Sequence, residues 1–299
     1  MSLKVSLFKR FYDVLRYMSP ARLRLFFLRR VMRLSSPELA SIANAELVLV
    51  RQRIRALSAC YKNVELPELW WANKPYPGNL GDSLNPHLLS ALTGMPIKRV
   101  STEGDGMMMI GSTIERAKDH CHIWGSGLIS QQSSPQAKLK LHSVRGPLTQ
   151  NRLKQLGYTC PEVFGDPAIL MPVFFPMRDR TPTRIGVIPH FQHSGRHFKG
   201  DIELISVNRG IHEDFEAFVE QLSRCSFVFS SSLHGLILSR AYRIPCARVI
   251  FEQDQLSGDD SKFADYRLGV GLTNPDFVKV NYQPNLIWNK RLVESLDPD

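Results

Sequence analysis

Residues 226–245 read "SFVFSSSLHGLILSRAYRIP", and "CARVIF" follows at 246–251. The first four residues are mostly apolar and rich in Phe and Val, which suits a buried strand. The run stops at three consecutive serines, Ser230, Ser231 and Ser232. Apolar residues resume as the helical segment "HGLILSRAYR", and Pro245 separates it from the next apolar run. Strand, helix and strand in that order predict a βαβ unit, and so a parallel sheet. The same reading puts His234 in the first turn of a helix, at the carboxyl end of a strand. A helix N-terminus offers free N–H groups and partial positive charge, and takes anions. The local alternative is a capping serine with a histidine bonded to its neighbours.

Working outward, the alternation recurs on both sides. "LWWAN" (69–73) reads as a buried strand, followed by the Gly/Pro loop "KPYPGNLGDSLNP" (74–86). Asn85-Pro86 is expected to start the helix "HLLSALT", which Gly94 ends. Short strands are expected in "KRVS", "MMMIGS", "CHIWGSG", "HSVRG" and "EVFGDPAIL". Apolar periodicity stops in "FFPMRDRTPTR" (174–184), which marks a boundary. A second set then begins: "RIGVIPH", "IELISVN", the helix "HEDFEAFVEQLSRC", and the opening stretch. The expected class is α/β: two Rossmann-like domains facing a cleft, behind an N-terminal helical extension. The expected divisions are 1–62 (helical extension), 63–178, 179–275 and a C-terminal tail, 276–299.

Of the net charge of +10 over 299 residues, +8 lies in residues 1–33, which hold nine Lys and Arg against Asp13 alone. The remaining chain is near neutral, so nucleic acid is not an expected partner. Phe8, Phe11, Tyr12 and Leu15 share one helical face, as do Leu23, Phe27, Val31 and Leu34. Arginines interrupt every apolar stretch, which excludes a signal peptide and a membrane span. Basic amphipathic helices of this kind lie on anionic membrane surfaces; the alternative is a helix packed on the body with a solvated basic face. The five cysteines are scattered and form no C-x-x-C pair, which points to a reducing compartment.

In a doubly wound sheet, ligands bind beyond the carboxyl ends of the strands. The candidates in the first half are Asn79, Gly81, Asp82, Gly125, Ser126 and Arg145. In the second half they are His190, Arg196, His197, Ser230, Ser231, Ser232, His234, Arg240 and Glu252. Asp82 is read as an acceptor base or a turn cap, and Asp166, which precedes Pro167, as structural. "HFQHSGRH" (190–197) admits a metal reading, but its spacing is irregular and it holds no carboxylate or thiol.

The stretches "PYPGNLGDSLN", "HIWGSG", "SVRGPLTQNRLKQLGY", "FGDPAIL" and "SSSLHGLILSRAYRIP" occur in that order. In order and spacing the chain resembles the polysaccharide pyruvyl transferase family over roughly residues 66–270. It is most similar to the exopolysaccharide ketal-pyruvate transferases of Gram-negative bacteria, which share "SSSLHG" and the "KFADY" of 262–266. The resemblance implies a GT-B-like pair of domains and phosphoenolpyruvate as co-substrate, with no metal or cofactor. It implies an acceptor glycan, lipid-linked or free, that becomes a pyruvate ketal. The implied location is cytoplasmic, on the inner face of the cytoplasmic membrane. Many members carry Arg where this chain has Ser232. Arg145, which matches the family's "VRG", is then an expected donor contact, with Arg196 or Arg240 as the substitute cation.

The chemistry suits these residue types. Phosphoenolpyruvate carries a phosphate and a carboxylate close together, so it needs clustered cations and N–H donors. Ketal formation needs a proton delivered to the methylene carbon, work for a group that titrates near neutrality; His234 is the candidate. Two other readings are a GT-B glycosyltransferase using a nucleotide sugar and a non-catalytic scaffold that binds membrane or saccharide.

The basic segment generates a first prediction. Deleting residues 1–34 removes up to about 1 kcal/mol per basic residue of attraction to an anionic leaflet. The truncated protein should no longer sediment with anionic liposomes, while turnover on a small soluble acceptor persists. Unchanged sedimentation would remove the membrane role.

Overall fold

The computed structural model describes residues 65–72, 78–100, 106–209, 215–252, 256, 258–273, 277–281 and 287–288. The extension expected at 1–62, with its membrane-binding segment, lies outside the described residues. Among the described residues, ten strands form two parallel five-stranded sheets. The first holds β1 (Glu68–Leu69), β2 (Lys98–Arg99), β3 (Met107–Met108), β4 (His122–Trp124) and β5 (Lys140–Ser143), in the order β2-β1-β3-β4-β5. The second holds β6 (Arg184–Ile188), β7 (Ile202–Leu204), β8 (Cys225–Ser230), β9 (Cys246–Phe251) and β10 (Phe277–Val280), in the order β7-β6-β8-β9-β10. Counted from its own first strand, each sheet has the same order. Each therefore reverses direction once, between its first and third strands, which is where such sheets open a crevice.

Helices fill the crossovers: α1 (Leu80–Thr93), α2 (Pro147–Gln155), α3 (Met171–Phe174), α4 (Phe215–Ser223), α5 (Leu233–Ala241) and α6 (Ser261–Gly269). One apolar cluster joins both sheets, with Leu69, Leu84 and Leu88 from the first half and Ile188, Phe218 and Leu236 from the second. Each sheet has a smaller cluster of its own.

Helix α1 begins seven residues before the start expected at His87, and Pro86 lies inside it. A proline there withholds the N–H that the Asp82 carbonyl needs. The neighbouring side chain makes up the loss: Asn85 Nδ2 donates to the Asp82 carbonyl at 3.1 Å. Asn85 also exchanges two bonds with the Ile110 backbone, at 2.9 and 3.0 Å, which ties the loop after β3 to α1. The helix ends as expected at Gly94, in left-handed conformation at φ 66°. The sheet extends past the tail expected from residue 276, because "FVKV" forms β10 beside β9.

A buried clasp connects the two halves. Arg145 follows β5 and Asp265 lies on α6; both side chains are 1% exposed and their atoms meet at 3.1 Å. The remaining guanidinium nitrogens donate to Ser112 Oγ (2.6 Å) and the Leu128 carbonyl (2.7 Å). Asp265 in turn accepts from the Thr149 N–H (3.0 Å) and hydroxyl (2.6 Å), so it caps α2 from another helix. Gly146 lets the helices approach this closely, since an added Cβ would stand 1.9 Å from the Asp265 carbonyl oxygen. Arg145 is fully buried in structural bonds. Its expected contact with a donor anion is therefore corrected, because each guanidinium nitrogen already bonds within the fold and the side chain, 1% exposed, does not line the cavity that His234 lines.

The clasp gives a prediction. Arg145→Met leaves Asp265 charged, buried and short of its ion partner, which should cost about 3–5 kcal/mol of stability. Denaturant midpoints for the wild type and variant measure it; a loss under about 1 kcal/mol would show that Asp265 is satisfied without the arginine.

Candidate active site

A cavity of about 340 Å³ opens at both switch points. Asn79 and Asp82 reach it from the chain after β1, and Gly111, Ser112 and Thr113 from the loop after β3. His190, Phe191 and Gln192 reach it after β6, and Ser232, Leu233 and His234 after β8. All four loops that flank the two reversals thus converge on one space. Of the expected site residues, this space gathers Asn79, Asp82, His190, Ser232 and His234.

His234 occupies the first turn of α5 and is 12% exposed on its side chain. Its ring packs against the backbone at Gly81, where an added Cβ would stand 2.0 Å from Nδ1. Gly81 therefore makes room for the imidazole, and its own N–H is held by Asn79 Oδ1 at 3.1 Å. On the other side, Nε2 lies 3.5 Å from Asp166 Oδ2. Neither of these buried atoms has a hydrogen bond among the described residues. The separation is longer than a good hydrogen bond, and it is an ion pair only when the imidazole is protonated. Asp166 is fully buried, and its Oδ1 accepts from the Ala168 N–H at 3.0 Å to cap the turn Pro167–Leu170. The structural reading of Asp166 holds for one oxygen; the other faces His234 Nε2.

The serines divide in role. Ser230 is buried; its hydroxyl donates to the Ile188 carbonyl (2.8 Å) and accepts from the Ser232 N–H (3.0 Å). Ser231 Oγ accepts from the His190 N–H at 2.9 Å and meets His193 Nδ1 at 2.9 Å. Both shape the turn between β8 and α5, and neither lines the cavity. Ser232 lines it as the N-cap residue of α5, with no side-chain capping bond, so the first-turn N–H groups lack a side-chain acceptor.

Burial also sets the charge states. Burial pushes the Asp82 carboxyl up to about 6, with His234 and then Arg116 acting against it. His190 is pushed down to about 3 by burial, then by Lys262, His193 and His234, so it stays neutral. Glu115, also on the wall, is raised by burial. Lys262 is 6% exposed and pushed down to about 8 by burial, with Arg145 and Arg248 adding to it and Asp260 opposing.

Several expected residues lie elsewhere. Arg196 packs its guanidinium 4.8 Å from the Phe251 ring centroid, and His197 is exposed. Arg240, nearly two turns beyond the cavity on α5, stands over Tyr266 at 5.9 Å and lines a separate cavity with Arg248 and Arg267. Glu252 is exposed, and its N–H pairs with the Val280 carbonyl. Gly125 packs against Pro167, and Ser126 is buried 3.5 Å from Thr113 Oγ1. His193 is buried against Phe251, so the "HFQHSGRH" histidines serve separate contacts. Sequence reasoning missed Ser112, Thr113, Glu115, Arg116 and Lys262 on the wall. For Lys262 the signal was present in "KFADY", read only as a family match.

Asp82 yields a test. Between about pH 4 and 6 the folded chain keeps a proton on Asp82 that the unfolded chain has released, so stability falls as pH rises through that window. Asp82→Asn removes this loss. Its stability relative to the wild type should climb from pH 4 to 6 and level above, in urea melts across that range. A difference independent of pH would place Asp82 in a wetter setting.

Residues 137–250 match the family described as polysaccharide pyruvyl transferase. An uncharacterized protein of Acanthamoeba polyphaga mimivirus is 27% identical over 215 residues, spanning 67% of this chain and 74% of the viral protein. No solved structure matches the chain. The matched segment carries Arg145, Asp166, the three serines and His234.

Proposed function

We propose that the chain transfers pyruvate from phosphoenolpyruvate to a pair of hydroxyls on one sugar of a bacterial polysaccharide repeat unit. The observation that carries this reading is His234, held between the Gly81 backbone and the buried Asp166 carboxylate at the meeting of both switch points. With Nε2 turned to Asp166, Nδ1 is the nitrogen left for chemistry. Asp166 stabilises the imidazolium and fixes the ring, as a positioning residue. Protonated Nδ1 delivers a proton to the methylene carbon, which becomes methyl, and the central carbon gains cationic character. A sugar hydroxyl attacks there and gives up its proton to Asp82, whose carboxyl near 6 suits a base at neutral pH. Phosphate leaves, the second hydroxyl adds to the same carbon and gives its proton to the departing phosphate, and the ketal closes; the proton taken by Asp82 returns to His234. Two hydroxyls and phosphoenolpyruvate thus become one ketal and inorganic phosphate.

The finer setting belongs to the same proposal. The two Rossmann-like halves take a GT-B-like arrangement, the acceptor is lipid-linked, and residues 1–34 hold the protein on the cytoplasmic leaflet. Among the described residues no helix is long and apolar enough to cross a membrane. Incubation with phosphoenolpyruvate and extracted lipid-linked repeat units tests the reaction. Phosphate release matched by a pyruvyl mass increment on the glycan is the expected result; phosphate-free transfer of a sugar from a nucleotide donor would replace this reading.

The roles of the pair make a kinetic prediction. His234→Gln should lower kcat by about 10² to 10⁴, the usual contribution of a positioned acid or base, and remove one limb of the pH profile. Asp166→Asn should lower kcat with little change in donor KM. Near-normal kcat in His234→Gln at saturating substrates would return the histidine to an anchoring role.

A further inference from the structure

The cavity holds a cation that neither the clasp nor the acid–base chemistry uses. Lys262 stands in the first turn of α6, and its side chain is more than nine-tenths buried. It lines the cavity beside Ser232, Leu233 and His234. Among the described residues its ammonium has neither a carboxylate within ion-pair distance nor a hydrogen bond; the Phe263 ring lies 5.5 Å away, and Arg145, Asp260 and Arg248 act on it only at longer range. A buried ammonium without a partner is costly, and such groups are ordinarily paired or neutralised. Here the group points into a space large enough for a ligand.

Position explains why it stays there. Lys262 precedes Asp265 by three residues on α6, and Asp265 is locked by Arg145 and Thr149. The clasp therefore fixes the turn that carries the lysine. Across from it, the first-turn N–H groups of α5 have no side-chain cap. Other cations are committed elsewhere: Arg145 is buried in the clasp, Arg196 lies on Phe251, and Arg240 faces a different cavity. His190 is neutral. Arg116 also lines the cavity but is exposed, on the same wall as Glu115. The second-half wall thus carries Lys262 and a helix N-terminus, whereas Asp82 and Glu115 come from the first half.

We propose that Lys262, with the N-terminus of α5, holds the anionic phosphate or carboxylate of the donor. This rests on the pyruvyl-transfer reading of the pocket and adds the donor's orientation. The donor's anion lies on the second-half wall, its methylene carbon faces His234, and the acceptor lies against Asp82.

The test uses the full-length protein, with phosphoenolpyruvate and inorganic phosphate as probes. Lys262→Met keeps the side-chain volume and removes an unpaired buried charge, so the unliganded melting temperature should not fall. Its donor KM and its calorimetric Kd for phosphoenolpyruvate should rise about 10- to 100-fold, the worth of one charge-assisted hydrogen bond. Saturating kcat should change far less. Adding Ser232→Arg to that variant should recover donor KM, and Lys262→Arg alone should retain most of it, which also covers a Met variant that folds poorly. If the wild type turns over phosphoenolpyruvate and Lys262→Met does so with unchanged KM, the lysine assignment is overturned and the reaction stands. If the wild type does not use phosphoenolpyruvate but binds phosphate in a Lys262-dependent way, the anion site stands and the reaction is lost. Phosphate binding that is the same in both proteins overturns the site.

Discussion

The buried pair between Arg145 and Asp265 is the constraint on which the site depends. Taking both charges out of water costs several kcal/mol per ion, and their attraction offsets this only when every remaining donor and acceptor is used. Here each guanidinium nitrogen and both carboxylate oxygens make a bond: the arginine also reaches Ser112 and Leu128, and the aspartate also reaches the N-terminus of α2. Each of these extra bonds ends on a part of the site or its support. Ser112 lines the cavity, Leu128 lies in the loop after β4, and Asp265 holds α6 with Lys262 on it. "SVRGPLT" and "KFADY" are thus two halves of one contact, which accounts physically for their occurrence together.

A second constraint acts at the imidazole. His234 is placed by α5, its room comes from Gly81 before α1, and its carboxylate partner comes from the turn after Phe164. These three segments belong to different halves of the sequence, and they meet because each sheet reverses at the same relative position. Duplicated strand order therefore does chemical work. It brings two sets of strand ends to one cavity, one set carrying carboxylates and the other a histidine and a helix N-terminus.

The parts legible in the sequence were those set by local pattern. Apolar runs ending in Gly, Ser or His gave the strands, and the rule that ligands lie at their carboxyl ends led to Asn79, Asp82, His190, Ser232 and His234. The same rule misassigned Arg145, because it sees that a polar residue ends a strand and cannot see a partner 120 positions later. Lys262 was passed over for the converse reason: it ends no strand, and α6 reaches the cavity only by docking on α2, so "KFADY" pointed to it only as a family match. The start of α1 was misplaced because Pro86 ordinarily breaks a helix, and the side chain of Asn85 supplies the missing bond. Strand β10 was lost in an expected tail because "FVKV" is short and lacks flanking signals.

Placing the pocket cation on a lysine has a consequence that an arginine would not. Arginine keeps its charge at any pH the fold survives, whereas a buried lysine can lose it. Burial pushes Lys262 down to about 8, Arg145 and Arg248 push the same way, and Asp260 resists. Toward the cavity it faces His190, which is neutral, together with His234, Asp82, Glu115 and Arg116. Its charge is therefore full below that value and fades as pH rises through it. A doubly anionic ligand seated beside the ammonium favours the charged form and moves that loss upward. The unliganded pocket sheds its cation more readily than the occupied one, so charge and occupancy reinforce each other. In the form without a ligand, the same weakness reduces the cost of keeping an unpaired lysine inside the fold.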